Sequence, residues 1–472
     1  MKNTKKLISI VLSLILVFTC MPNAYALSYN ELLWADTKEA QMGIIMQPGK
    51  DESERYFSWY LPEGESDCHI EISRNPLMLD AVSFEGEVID DRHSGSVAKV
   101  VVSGLIPGET YYYVCVSGDS SSRVYSFETV EGSSFSALYM SDIHITYDEA
   151  AGDTKATALD FAELLTGVTS AHDVNIILSA GDQATDGLLE EYKGLTFSAV
   201  SRSLTFATAI GNHDRKGIAY KYFTNLVNED EGMISSPQGG NYYFTKGEVL
   251  FLVIDSNNAS STDHRNFIKK AVNENPELKW RVVMMHHDLY GGTLENRESE
   301  NELLRAILSP VFDEFNIDLV LTGHSHHYSI SNVLYNGKTV TEINSGDVIN
   351  NADGTVYMVS ASVARGRDDE LDYSDRIAIG MEECSDRLYN IIDFSEDAIT
   401  VTTYTRDGGE EYASFTLTKD DDFEAPEINF FRKLVGMLLG SFGTIYAIFN
   451  NIGRYSDLTE DGFNVDFFET VF

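Results

Sequence analysis

Six apolar runs, five of them ending in polar residues that can bind a metal, constrain this chain more than any other feature. The runs are Phe135 to Met140, Val174 to Leu178, Leu204 to Ile210, Val249 to Ile254, Val282 to Met285 and Ile317 to Leu321. Continuous apolar runs this short read as strands buried on both faces, and stretches between them, such as Leu159 to Leu165 and Phe267 to Val272, have helical spacing. The expectation is therefore an α/β domain with helices covering its sheets. Five runs lead directly into Asp142-Ile143-His144, Gly181-Asp182, Gly211-Asn212-His213-Asp214, His286-His287 and Gly323-His324-Ser325-His326. Loops at the carboxyl ends of strands converge on one crevice in such a sheet, so these groups can meet although they are far apart in sequence. Carboxylate, carbonyl and imidazole donors without thiolates suit a hard or borderline divalent cation. The glycines let the chain leave each strand sharply and approach the site closely.

Asp-x-His or His-x-His alone is a weak signal; the information lies in five elements in a fixed order, each on the end of an apolar run. That ordered set resembles the calcineurin-like metallophosphoesterases over about Phe135 to Leu417. The resemblance implies a four-layer α/β/β/α sandwich with two metals between its central sheets, divalent or mixed-valence, with Fe, Mn or Zn expected. Carried over residue by residue, Asp142, His144, Asp182 and His326 hold one metal. Asp182, Asn212, His286 and His324 hold the other, and the Asp182 carboxylate bridges. Hydrolysis would proceed by attack of a hydroxide held on the metals, with His213 assisting the leaving group, Asp214 orienting the His213 ring and His287 facing the substrate. The roles of His286 and His287 are open to exchange, because successive side chains on a strand point to opposite faces. His327 is expected at the rim and His264 on an exposed helix.

Residues 27–131 read differently, as short β-branched and aromatic stretches between Gly, Pro, Asp and Ser clusters, which predicts an all-β sandwich. Leu105 to Val114 resembles the turn and strand of fibronectin type III domains, where a tyrosine hydroxyl ties the corner, and Tyr111 matches that position. Tyr111, Tyr113 and Cys115 would share one face of the strand. Cys68 and Cys115 lie in strands that would be neighbours, either as a cross-strand disulfide or as buried free thiols. A fibronectin-like domain before residues 135–420 resembles the purple acid phosphatase arrangement, with two departures. Thr185 stands where those enzymes carry a metal-binding tyrosine, and His144 stands where they carry glycine or a similar residue. No tyrosinate colour is expected; Tyr328, the nearest other candidate, is rim-like in the pattern.

Lys and Arg number 34 against 74 Asp and Glu, a net charge of −40, which repels nucleic acid and anionic lipid and excludes binding through basic patches. Residues 1–26 read as a secretory signal, since Lys2, Lys5 and Lys6 precede the apolar run Leu7 to Phe18 and Ala24-Tyr25-Ala26 fits the cleavage pattern. The tail, 426–472, carries an apolar stripe at helical spacing. Its 428–452 segment could dock on the protein or a partner, lie in a membrane interface or span a membrane. The reading is a secreted binuclear phosphoesterase acting on a small phosphate ester, with phosphomonoesters favoured by the N-terminal domain. Its rivals are a phosphodiesterase or nucleotidase of the same superfamily, and a cell-surface binding module whose hydrolysis is incidental.

Overall fold

The computed structural model describes residues 29–36, 42–90, 95–230, 238–291, 298–364, 375–380 and 387–424, with 426, 434 and 438. The proposed signal, nearly all of the tail and part of the loop 291–300 lie outside these residues. Among the described residues no helix is long and apolar enough to cross a membrane.

Two β-sheets face each other in the N-terminal unit. One orders Ile45–Pro48, Glu54–Tyr60, Ser96–Ser103 and Glu87–Asp90; the other centres on Cys68–Ser73 and Thr110–Ser117. Along Thr110–Ser117 burial alternates, and Tyr111, Tyr113 and Cys115 point into a core with Phe57, Trp59, Val100 and Phe127. The Tyr111 hydroxyl accepts the Ile106 N–H at 2.8 Å, tying the corner as the sequence pattern implied. Cys68 and Cys115 are buried free thiols; Cys115 pairs with Ile70 across the ladder and Cys68 with Ser117, so the sulfurs are never opposite each other. Residues 29–35 depart from the expected all-β reading. Tyr29–Ala35 is a helix whose Leu33 is buried against Ala158, Ala162 and Phe197 of the second unit.

The second unit contains two seven-stranded sheets. In the first, Thr205–Thr208, Ile176–Ser179 and Phe135–Met140 run parallel, followed by the antiparallel Leu388–Phe394, Ala398–Thr405 and Glu411–Thr418. In the second, Val249–Val253, Trp280–Met284, Leu319–Thr322 and Val356–Val359 are parallel neighbours. Phe135, Phe251 and Phe394 meet between the sheets, with ring centroids 5.5–6.2 Å apart across the gap. Ser261–Glu274 and Glu298–Glu314 cover the outer face of the second sheet, while Lys155–Ala171 and shorter helices cover the first. The layers are thus helix, sheet, sheet, helix, and the parallel strands of both sheets end at the same edge.

Polar contacts fix the two units together. The Tyr113 hydroxyl donates to the Arg202 carbonyl at 2.8 Å, and buried Arg202 returns a bond to the Tyr125 hydroxyl at 2.6 Å. Glu52 accepts from Arg55, from the Val130 N–H and from Lys246 of the second unit.

Candidate metal centre

The ligand-type residues predicted from sequence converge where the two sheets end. Their backbone is unusual: Asp142, His144, Asp182, His324 and His326 all have φ between 49° and 72°. Side chains avoid this left-handed region, and such residues cluster where geometry is over-determined by surrounding contacts. Here a ladder of backbone bonds supplies the constraint, from Asp142 N–H to Gly181 carbonyl, His144 N–H to Asp182 carbonyl and Ile145 N–H to Gln183 carbonyl. Two glycines are required by space. A Cβ on Gly181 would meet the His286 ring at 2.4 Å, and one on Gly211 would meet Asp182 Oδ1 at 2.0 Å.

Two donor sets result. In the first, His326 Nε2 lies 3.1 Å from Asp142 Oδ1 and 3.2 Å from His144 Nε2, and His144 Nε2 lies 3.8 Å from Asp182 Oδ2. In the second, Asn212 Oδ1 lies 2.9 Å from His324 Nδ1 and 3.1 Å from His286 Nε2, which is 3.3 Å from the same Asp182 Oδ2. Donors bound at ~2.1 Å around one cation stand ~3.0–3.4 Å apart, which the 2.9–3.3 Å separations match, while the 3.8 Å from His144 to Asp182 is longer. Each carboxylate divides its work between its two oxygens. Asp142 Oδ2 accepts the His324 N–H at 2.9 Å, while the buried Oδ1 accepts no hydrogen bond. Asp182 Oδ1 accepts the His213 N–H at 2.8 Å, leaving Oδ2 to face both sets. His286 donates from Nδ1 to the Ala180 carbonyl at 2.9 Å, which aims Nε2 at the second set.

The electrostatics match. Burial pushes His144 down to about 4, against the pull of Asp142 and Asp182, so its nitrogen is free to bind a cation at neutral pH. Burial also pushes Asp142 and Asp182 up, but the neighbouring imidazoles outweigh it. His326 foremost holds Asp142 well below the carboxylate range, and His286 holds Asp182 at about 2. Burial opposes a charge on His286, yet the Asp182 carboxylate carries it up to about 10. In the metal-free protein a proton on His286 therefore stands in for a cation.

His213 stands beside the first set, its ring centroid 4.8 Å from that of His144. Its expected partner Asp214 does not touch the ring. The buried Asp214 carboxylate accepts the Gly211 N–H at 2.8 Å, the Ala184 N–H at 3.1 Å and the Tyr192 hydroxyl at 2.8 Å, so all its capacity goes to fastening loops. Burial, reinforced by Asp182, lifts that carboxyl to about 7. His213 Nδ1 is anchored instead on the Thr185 carbonyl at 2.6 Å, with Lys216 Nζ 2.8 Å from both. His287 is buried beside His324, ring centroids 4.4 Å apart. Ser256 Oγ accepts the N–H groups of His286 and His287 at 3.2 and 3.0 Å, so its own proton goes to His287 Nδ1 at 2.9 Å. Neutral His287 consequently carries its proton on Nε2.

Three expectations at the margins fail. His264 is fully buried, because its Nε2–H reaches the Asn258 carbonyl at 2.8 Å and draws the helix face inward. His327 is buried as well, and Tyr328 lies in the core with its hydroxyl 2.8 Å from Thr403 Oγ1. Sequence reasoning missed Ser256, Lys216 and Glu191. Ser256 was reachable, since it follows the apolar run Val249 to Ile254; Lys216 and Glu191 carry no local signal.

Comparison with known proteins agrees with this geometry. Residues 135–328 match the calcineurin-like phosphoesterase family, and residues 42–129 match the purple acid phosphatase N-terminal domain. An uncharacterised Mycobacterium tuberculosis protein is 28% identical over 180 residues, 32% of this chain and 34% of that protein. The chain thus spans about a third of the length of that relative. Purple acid phosphatase 23 of Arabidopsis thaliana is 24% identical over 356 residues, 66% of this chain and 74% of that protein. In fold the chain resembles the purple acid phosphatase PPD1 of yellow lupin, with a TM-score of 0.68 at 13% identity over 82% of this chain and 77% of that one. A region that matches the purple acid phosphatase N-terminal domain thus precedes one that matches the calcineurin-like phosphoesterase family.

Proposed function

We propose that this pairing of a purple acid phosphatase N-terminal domain with a calcineurin-like phosphoesterase domain forms a secreted, binuclear hydrolase of small phosphate esters, with phosphomonoesters preferred. The observation that carries the reading is Asp182 Oδ2, one atom that belongs to both donor sets. Bound there, two cations would supply Lewis acidity for the phosphoryl oxygens and acidify a water to a nucleophile. Asp142, His144, Asp182 and His326 would hold the first, and Asp182, Asn212, His286 and His324 the second.

The remaining steps fall to the chain's own residues. Asn212 offers a neutral carbonyl, which limits the negative charge a phosphate dianion must approach. His213, with Nδ1–H held on the Thr185 carbonyl, leaves Nε2 open, and in its imidazolium form the Nε2 proton is the one given to the leaving alkoxide, which returns the ring to the neutral Nδ1–H form. His287, held by Ser256, offers an Nε2–H donor to a phosphoryl oxygen. The preference for monoesters rests on the N-terminal domain, and secretion rests on residues 1–26. A panel of phosphomonoesters, phosphodiesters and nucleotides, assayed with Mn, Fe, Zn and Mg, tests the reading. Monoester turnover should lead; diester turnover ahead of it would shift the assignment within the superfamily, and binding without turnover would point to a surface module.

A further inference from the structure

Two carboxylates assigned to no cation, Asp214 and Glu191, stitch together the loops that follow Phe135–Met140, Ile176–Ser179 and Thr205–Thr208, and Glu191 has no place in the family motifs. Glu191, fully buried on the helix Leu189–Leu195, accepts the Asp186 N–H at 2.9 Å and the Leu188 N–H at 3.1 Å on one oxygen. Its other oxygen accepts the Tyr147 N–H at 3.2 Å, 44 residues away. The Leu188 bond is an ordinary helix N-cap interaction. The Tyr147 bond is not: it crosses to the loop that carries Asp142 and His144, while Asp186 ends the loop that carries Asp182. The backbone ladder between these loops continues through the Thr185 N–H to Ile145 carbonyl bond and the 2.7 Å contact of the Thr146 and Thr185 hydroxyls. Glu191 closes it at its far end.

We propose that Glu191 is a positioning residue for the first donor set, holding the His144 loop against the Asp182 loop; the inference rests on the two-metal reading. Residues outside the ligand shell that orient ligands commonly change metal affinity by ~10–100-fold when altered. Glu191→Gln keeps the volume but has one acceptor oxygen, so its NH2 group confronts either Tyr147 or the Asp186 and Leu188 N–H groups.

The test is titration of the metal-free full-length protein with Co2+, followed by visible absorption, with the step lost in Asp142→Asn marking the first set. Glu191→Gln should weaken that step by ~10–100-fold and leave the other within about threefold. Glu191→Asp, which keeps the charge but shortens the reach, should fall between and serves if the glutamine variant does not fold. Unchanged Co2+ binding with a lowered Tm would reduce Glu191 to a helix cap, and equal weakening of both steps would also overturn the proposal. Failure of the unmodified protein to bind two Co2+ would overturn the two-metal reading itself.

Discussion

Asp182→Asn separates a two-metal site from any arrangement of independent sites. Oδ1 must remain an oxygen because it accepts the His213 N–H at 2.8 Å. The new NH2 group therefore takes the place of Oδ2, at which His286 Nε2 and His144 Nε2 converge from 3.3 and 3.8 Å. A lone pair available to both donor sets becomes a pair of N–H bonds aimed at both. Removing one partner from a buried charge arrangement costs about 3–5 kcal/mol. At ~1.4 kcal/mol per decade this is ~10²–10⁴-fold in a dissociation constant, here incurred at both sites. Asp142→Asn incurs it chiefly at one, since the nearest donors to Asp142 Oδ1 are His326 and His144 of the first set, at 3.1 and 3.8 Å. Metal content by plasma mass spectrometry after gel filtration, with turnover of a chromogenic phosphomonoester in the same samples, reads the difference. Asp182→Asn should lose both metals and nearly all activity, and Asp142→Asn should retain one metal. Two bound metals with near-normal turnover in Asp182→Asn would refute the shared-ligand assignment.

His213→Ala should keep both metals while kcat falls ~10²–10⁴-fold, because the ring belongs to neither assigned set; loss of a metal would make it a ligand. Since His286 is raised to about 10 in the metal-free protein, second-site affinity should climb about tenfold per pH unit and level off above that value, with about one proton released per ion at pH 8 by calorimetry in buffers of different ionisation enthalpy. The same His286–Asp182 pairing stabilises the metal-free fold fully below the ordinary histidine range, and this is lost as pH rises through about 10. The metallated enzyme should show no tyrosinate charge-transfer band and should work with two divalent ions, because the Thr185 hydroxyl bonds Thr146 and Tyr328 is in the core; a visible band lost in Tyr328→Phe would contradict this. Burial opposes the Glu52 charge, but Arg55, then Lys246, hold its carboxyl at about 2 instead of 4.5, worth about 3 kcal/mol. Burial meanwhile pushes Lys246 down to about 8, so the gain of this clamp sits on the carboxylate. Glu52→Gln should accordingly lose about that much stability above pH 4.5, with the difference vanishing as pH falls through about 2 in denaturant titrations.

The fold class and the convergence of the ligand-type residues were legible because both depend on periodic or strand-terminal signals. An apolar run buried on both faces cannot hide polar groups, so polar residues at its end announce a loop with a purpose. Tyr111 was legible for a related reason: its corner is local, with donor and acceptor five residues apart. The roles of Asp214, Tyr328 and His264 were not. Each is decided by what lies opposite in space, and Asp214 is the clearest case. Adjacent to His213 in sequence, it points the other way, because Gly211 and Ala184 present bare N–H groups that a buried carboxylate satisfies. The helix Tyr29–Ala35 was missed because seven residues are too few for periodicity to register, and only its docking on Ala158 and Phe197 sustains it.

The left-handed ligands explain why the site needs so much scaffolding. Five non-glycine residues at positive φ carry backbone strain, which persists only where surrounding contacts impose it. Glycine would remove that strain but carries no donor, so the conformation and the chemistry make opposite demands on the same positions. The conflict is resolved around the ligands. Glycines occupy the places where a neighbour must come close, Gly181 against His286 and Gly211 against Asp182. Backbone bonds between the 142–145 and 181–185 loops fix φ and ψ without using ligand side chains, and Glu191 and Asp214 secure the loop ends. A loop free to relax would turn His144 and Asp182 away from one another, since neither dihedral is favourable by itself. The parallel strands of two sheets, ending at one edge, supply the rigid frame against which that relaxation is prevented, which is why the donors sit on strand ends and not within a single flexible loop.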